Sequence, residues 1–288
     1  MAPSTHRAYQ QGVSAFDDFC SKFGLNNTLP VDEMIVQHFV AYLSLQGKSF
    51  STAKTYLAGL SAKHKLNGLP DPTGSFLVKK VMKGLSRSKN TKDSRYPITF
   101  QKLQELVNVL PLVCTDSFET TLFTAAFSVA FFGLLRISEL LGQDPSLIEG
   151  RPGIQISDIN LSSNKLQINI TGSKTDQNMI GETIVLERVP LCPVLCPVRS
   201  VQQLLAKRRW DAGALFVHFN KSKLTRYQFQ AVLKKAANLL KWNSKGFTSH
   251  SFRIGAATTA AMNGVSTDVL MKLGRWKSNA VKSYIRPC

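Results

Sequence analysis

Apolar residues recur at helical spacing through the first ninety positions. Tyr9, Val13, Phe16, Phe19 and Phe23 share one face of a helix that Ser4 or Thr5 would cap and Gly24 would end. Ile35, Phe39, Tyr42 and Leu43, behind a cap at Asp32, predict a second helix. Tyr56, Leu57, Leu60 and His64 predict a third, opening at Ser51 and closing at Asn67-Gly68. A fourth covers about Ser75 to Leu85 and runs into the basic stretch RSKNTKDSR. The pattern predicts a small helical domain over residues 1–90, with Ser86 to Arg95 as a polar, basic linker.

A second domain is expected over residues 91–288. Thr99 caps a helix reaching about Leu110, and a nearly all-apolar helix runs from Phe118 to Leu135, directly into Arg136-Ile137-Ser138-Glu139-Leu140. The period then drops to two. IQISDINL, KLQINI and ETIVLERV read as strands, with the polar turn TGSKTDQNMIGE between the last two. Helical spacing returns from Pro197, with a brief strand at Ala214 to His218. Further helices are expected near Tyr227–Trp242, Ser249–Met262, Thr267–Leu273 and Ser278–Ile285. The fold class predicted is mainly α with a small antiparallel β-sheet, an α+β arrangement.

Composition narrows the function. A chain of 288 residues with 43% apolar content can build two cores. Its longest apolar stretch, Leu122 to Leu135, is broken by Thr124, Ser128 and Gly133, and the N-terminus MAPSTHRAYQQ lacks the apolar core of a secretion signal. An intracellular protein without a membrane span is expected. Thirty-six Lys and Arg against 18 Asp and Glu leave a net charge of +18, which favours a polyanion, and nucleic acid is the usual one. The basic residues are spread along the chain, not gathered on one amphipathic helix, so a membrane surface is not the expected partner. The five cysteines are irregularly spaced. Cys192 and Cys196 lie in LCPVLCPVRS without a second Cys/His pair nearby, so thiols are expected and a metal site is not.

Several residues have chemistry that suits a phosphate, and each has an ordinary structural alternative. Arg136 follows an apolar helix, where an isolated charge is costly; it reads equally as a phosphate clamp or as a salt bridge to Glu139. Lys174 sits in the sheet turn, where lysines are commonly just solvated, yet a flexible ammonium there can serve as a mobile acid. His250 and Arg253, three apart on one helical face, can hold a phosphate and move a proton, although His-x-x-Arg also arises by chance at helix caps. Trp276 is most simply a core aromatic, but its indole N–H can donate to a phosphate oxygen. Tyr284 is a nucleophile only if activated, since a phenol titrates near about 10.

Taken together and in order, LLRISEL, a lysine in a sheet turn, HSFR, LGRW and SYIR resemble the tyrosine recombinases, the family of phage integrases, Xer recombinases and Cre-like enzymes. The ending GRWKS…YIR is most similar to Cre and the recombinases of eukaryotic mobile elements. The resemblance extends upstream: TYLAGLSAKHKLNGLPDP is similar to the family's SAM-like core-binding domain, and RYPIT to the start of its catalytic domain. It implies a site-specific recombinase or integrase in which Tyr284 attacks the scissile phosphate and forms a 3′-phosphotyrosine. Arg136 and Arg253 would clamp the non-bridging oxygens, Lys174 would protonate the leaving 5′-oxygen, and His250 would assist proton transfer. Trp276 would fill the family's His/Trp position, with Glu139 in support. The energy of the broken bond stays in the phosphotyrosine, so no metal, ATP or other cofactor is implied. The implied partner is double-stranded DNA, held between the two domains, with a homotetramer on two DNA sites; the implied location is wherever that DNA resides, the nucleus in a eukaryote, the cytoplasm or nucleoid otherwise.

Two departures qualify the match. The usual family interval to the tyrosine is nine residues, which points to Arg275, whereas residue type points to Trp276, eight before Tyr284. Only four residues follow Tyr284, so the C-terminal segment that couples neighbouring subunits in many relatives is not in evidence, and either another interface or a truncated chain is expected. Two rival functions share these features: a domesticated DNA-binding protein that no longer cuts, and a type IB topoisomerase-like enzyme that nicks and closes one duplex.

Overall fold

The computed structural model describes residues 3–88, 93–142, 152–170, 181–208 and 210–286, and divides into two compact units, Met1–Asp93 and Ser94–Cys288. The first unit is built from α1 (Pro3–Phe23), α2 (Glu33–Leu45), α3 (Phe50–Leu66) and α4 (Phe76–Ser88). Asp32 caps α2 by accepting from the Met34 amide. Helix α1 begins at Pro3, so Ser4 and Thr5 lie inside it and do not cap it. Helix α3 begins one turn position before the expected Ser51, because the Ser49 hydroxyl accepts from the Thr52 amide and so caps it.

Helices α1 and α3 cross backbone to backbone. A Cβ added at Gly12 would lie 2.6 Å from the Tyr56 Cα, and one at Gly59 would lie 2.5 Å from the Tyr9 carbonyl oxygen. This close approach lets Phe16, Phe19, Phe39, Val40, Leu57 and Leu60 fill one core. His64 is fully buried in it. Its Nε2 accepts from the Val31 amide at 3.0 Å, so Nδ1 carries the proton and donates to the Leu60 carbonyl at 2.8 Å.

The second unit contains α5 (Phe100–Val113), α6 (Ser117–Phe132), α7 (Ile137–Leu140), β1 (Ile159–Leu161), β2 (Lys165–Ile170), β3 (Glu182–Glu187), α8 (Pro197–Lys207), α9 (Arg226–Leu239), α10 (His250–Met262) and α11 (Thr267–Gly274). Helix α6 is apolar on every side and accordingly central, with Phe123, Ala126, Phe127 and Val129 fully buried. The sheet is antiparallel in the order β1-β2-β3, with Ile168 facing Ile159 on one side and Ile184 on the other. Leu166, Ile168 and Ile170 alternate inward, as the period-two pattern requires. The fold is therefore mainly α with one small antiparallel sheet. No helix among the described residues is long and apolar enough to cross a membrane.

Three elements differ from expectation. Ile156–Asp158 is a 3-10 turn rather than strand, because the Asp158 carboxylate turns back to accept the Gln155 amide at 2.8 Å. Ala214 to His218 contributes only isolated bridges, Gln155 to Ala214 and Val217 to Lys223. Asn279–Ser283 is a 3-10 helix, as suits a five-residue segment too short to nucleate an α-helix. Cys20, Cys114, Cys192 and Cys196 carry free thiols.

Helix α10 anchors the unit's entry segment. Ile98 donates its amide to the Ser251 carbonyl at 2.9 Å, and a Cβ added at Gly255 would lie 1.7 Å from the Ile98 carbonyl oxygen. Only glycine admits this crossing, which brings Arg95 and Tyr96 to the N-terminal end of α10.

Candidate active site

The end of α6 is where the site begins. After Gly133 the chain turns through Leu134, whose φ of 45° lies in the left-handed region that a leucine occupies at a cost of about 1–3 kcal/mol. The turn aims the Leu134 carbonyl inward, where it accepts from Arg253 Nη1 and, at 3.4 Å, from Arg275 Nη2. It also places Arg136 at the cap of α7. Glu139 then reaches back: one carboxylate oxygen accepts the Arg136 amide at 2.8 Å and the other meets Arg136 Nη1 at 2.7 Å. Both readings of Arg136 are thus compatible, since it is paired to Glu139 and its side chain remains 18% exposed.

Arg275 and Trp276 part company at the end of α11. Arg275 adopts φ 58°, and its side chain turns into the interior to meet Glu139 at 3.0 Å, with further donation to the Gly133 and Leu273 carbonyls. Trp276 faces the other way. Its ring lies 4.3 Å from the Arg253 guanidinium carbon and 5.0 Å from the Tyr284 ring. Gly274 makes room for this indole: a Cβ there would fall 1.8 Å from a ring carbon. Trp276 is buried, and its Nε1 has no hydrogen-bond partner among the described residues.

His250 is the first residue of α10 and Arg253 the fourth. The approach to His250 is held by Gln230 of α9, which donates to the Phe247 carbonyl and accepts from the Ser249 amide, both at 2.9 Å. Arg253 is fully buried and donates to the Leu134 and Gly274 carbonyls while stacking beneath Trp276. Tyr284 follows the 3-10 helix, with its ring 5.6 Å from the Arg253 guanidinium carbon.

Electrostatics make this a site for an anion. Burial, then the neighbouring Arg136 and Arg275 charges, bring the Arg253 pKa down to about 10, still protonated at neutral pH. Burial is also the largest influence on Glu139 and opposes its ionisation, but the Arg275 charge, the Arg136 amide and the Arg136 charge prevail and hold the carboxyl below its ordinary range. Burial lowers the His250 pKa, and Arg95, Arg226, Arg253 and Arg136 lower it further, so the imidazole is neutral at pH 7. Arg136 and Arg275 thus pair with one buried carboxylate, and Arg253 adds a third guanidinium beside them, an excess of positive charge that a phosphodiester would neutralise. Among the described residues there is no cluster of three His, Cys, Asp or Glu that could hold a metal ion.

The structure brings together Arg136, Glu139, His250, Arg253, Arg275, Trp276 and Tyr284, from segments more than a hundred residues apart. Lys174 lies outside the described residues. Of the strands that flank its segment in sequence, Ile170 pairs with Glu182, and Glu182 lies 3.9 Å from Arg275. Sequence reasoning missed Arg95 and Arg226, whose charges act on His250. By sequence Arg95 falls in the expected linker, and Arg226 follows an ordinary capping box at Thr225; only the fold reveals their place.

The Phage integrase family matches residues 97–287. The chain is 24% identical over 295 residues to an integrase/recombinase XerD homolog of Selenomonas ruminantium, covering 99% of this chain and 82% of the relative. It is 26% identical over 280 residues to the Cre recombinase of Escherichia phage P1, covering 91% and 78%. Among solved structures, XerH recombinase in a post-cleavage complex with palindromic difH substrate matches with a TM-score of 0.67 at 15% identity, over 96% of this chain and 75% of that one. A lambda integrase dimer bound to a COC′ core site matches with a TM-score of 0.63 at 14% identity, over 99% and 72%.

Proposed function

This chain belongs to the phage integrase family, and we propose that it is a site-specific recombinase that cuts and rejoins duplex DNA through a 3′-phosphotyrosine at Tyr284. The observation that carries the reading is the seating of the Tyr284 phenol beside Arg253 and Trp276, within the excess positive charge that Glu139 only partly offsets.

In the proposed reaction the Tyr284 Oη attacks phosphorus and the bond to the 5′-oxygen breaks. The neutral imidazole of His250 accepts the phenolic proton, and Lys174 supplies a proton to the departing oxygen. Arg136 and Arg253 bond the non-bridging oxygens, where charge accumulates in the transition state, and the unpaired Trp276 Nε1–H donates to one of them. Glu139 orients Arg136, while Arg275 balances the second carboxylate oxygen from behind. Rejoining runs the same steps in reverse, with a free 5′-hydroxyl attacking the phosphotyrosine. The phosphotyrosine conserves the bond energy, so ATP and metal are not required. Exchange between two duplexes would use four protomers on two DNA sites. The helical unit would add phosphate contacts, and the net charge of +18 would make affinity fall steeply with salt.

The test is capture. Purified protein is incubated in EDTA with a pool of nicked, randomised duplexes, and covalent protein–DNA adducts are isolated and sequenced. An adduct attached at Tyr284 and lost in Tyr284→Phe is expected; adducts of equal yield in Tyr284→Phe would overturn the mechanism. Supercoil relaxation run beside two-site strand exchange on the recovered sequence separates recombination from a topoisomerase-like activity.

A further inference from the structure

We infer that Thr258 is a positioning residue that sets where the Tyr284 nucleophile stands relative to Arg253, an inference that rests on the proposed role of Tyr284. Thr258 lies on α10, the helix that also carries His250 and Arg253, and it is fully buried. Its hydroxyl donates to the Tyr284 carbonyl at 3.2 Å and accepts the Arg286 amide at 3.1 Å. The two bonds therefore hold the chain immediately at and after the nucleophile.

The geometry asks for a hydroxyl. One side-chain atom must donate and accept at once, which a serine or threonine oxygen does and an apolar isostere does not. Other restraints on the segment include the Arg286 guanidinium, which donates to the Ser283 carbonyl, and the packing of Tyr284 and Ile285 against the core. Tyr284 follows a five-residue 3-10 helix, its amide bonds the Val281 carbonyl within that same helix, and Val281 is the helix's fully buried residue. The Trp276 and Tyr284 rings meet at a tilt, with centroids 5.0 Å apart, a side-chain contact that does not itself hold the Tyr284 backbone. Thr258 instead connects the nucleophile's backbone to the rigid element that bears two phosphate-site residues. It touches no reacting atom, and its effect is on the distance from which Tyr284 Oη attacks, where a displacement of about 1 Å lowers a rate roughly 100-fold.

The experiment compares wild type, Thr258→Val and Thr258→Ser in the full chain. Three quantities are read: the single-turnover rate of adduct formation on the duplex recovered by capture, the duplex concentration giving half-maximal rate, and the exchange rate of the Arg286 amide in the DNA-free protein. Thr258→Val is expected to lose about 10- to 100-fold in rate with an unchanged half-saturation, and to show faster Arg286 exchange. Thr258→Ser, which keeps the oxygen, is expected to recover both. A wild-type rate in Thr258→Val overturns the role, as does a Thr258→Ser variant as slow as Thr258→Val, since packing rather than the hydroxyl would then be responsible. If wild type gives no adduct on any duplex, the proposed function fails; unchanged Arg286 exchange in Thr258→Val overturns the Thr258 inference independently of activity.

Discussion

The Glu139 carboxylate and the Arg275 guanidinium meet at 3.0 Å although 136 residues separate them, and both side chains are only 4% exposed. The same carboxylate holds Arg136 from its other side. Removing the charge in Glu139→Gln leaves Arg136, Arg253 and Arg275 facing one another without a buried anion. Breaking a buried pair in this way costs about 3–5 kcal/mol, well above a surface pair. The variant is expected to unfold at a lower urea midpoint with an unchanged m-value. Glu139 titrates below its ordinary range, so its stabilisation is complete above about pH 4.3, the unfolded value, and is lost as pH falls through the lower folded value. Glu139→Gln should therefore narrow the gap to wild type only in strong acid. A midpoint equal to wild type at pH 7 would sink the prediction.

His250 has a linkage of the same sign, in a higher pH window. Burial and four surrounding arginines push its pKa below the free value of about 6.5, so protonation disfavours the fold. Above about pH 6.5 this cost is absent; it grows as pH falls towards the folded pKa and then levels. His250→Gln should thus lose less stability than wild type between pH 7 and pH 5. In catalysis, a neutral base implies that the adduct rate falls on the acid side of the folded pKa, leaving neutral pH on the plateau. An NMR titration of the His250 ring checks both; a midpoint at or above 6.5 contradicts them.

Much of this site was readable from residue types, and the reasons for the gaps are physical. LLRISEL and HSFR were legible as an ordered set that resembles one family, whereas singly Arg136 reads equally as a salt bridge to Glu139 and His-x-x-Arg as a chance pattern at a helix cap. The choice between Arg275 and Trp276 was not legible, because it turns on a left-handed φ at Arg275, a non-glycine residue that gives no local signal for it. Arg95 looked like linker because its place depends on Gly255, 160 positions later, admitting the Ile98 backbone. In the helical unit the expected cap at Asp32 is the observed one, while the helix expected to open at Ser51 is capped two residues earlier by Ser49.

Arg253 and Trp276 give an optical prediction. The guanidinium is fully buried beneath the indole, so a phosphate can reach it only when Trp276 moves aside or turns its Nε1 outward. The indole also lies against a cation and a phenol, both of which influence its emission. With Trp210 and Trp242 replaced by Phe, leaving Trp276 as the one indole, binding of the captured duplex should change the emission in step with occupancy. Tyr284→Phe should show the same change, because binding precedes attack. Emission that stays constant through saturation would mean that the indole stays over Arg253 in the complex, and Arg253 would lose its role as a direct phosphate ligand.

Lys174 lies in sequence between β2 and β3, whose flanking pair Ile170 and Glu182 ends close to Arg275. A general acid matters in proportion to how poor the leaving group is. An alkoxide leaving as the 5′-oxygen needs a proton, whereas a thiolate, the conjugate base of a much stronger acid, departs without one. Lys174→Ala is therefore expected to lose about 100- to 10,000-fold in adduct rate on ordinary DNA, the span typical of removing a general acid. On the same duplex with sulfur in place of the bridging 5′-oxygen, the variant should approach wild type. Arg136→Ala should not be rescued, since the charge on the non-bridging oxygens is unchanged by the leaving atom. Rescue of both would place the defect in leaving-group expulsion generally, and rescue of neither would remove Lys174 from the acid's role and leave it as a DNA contact.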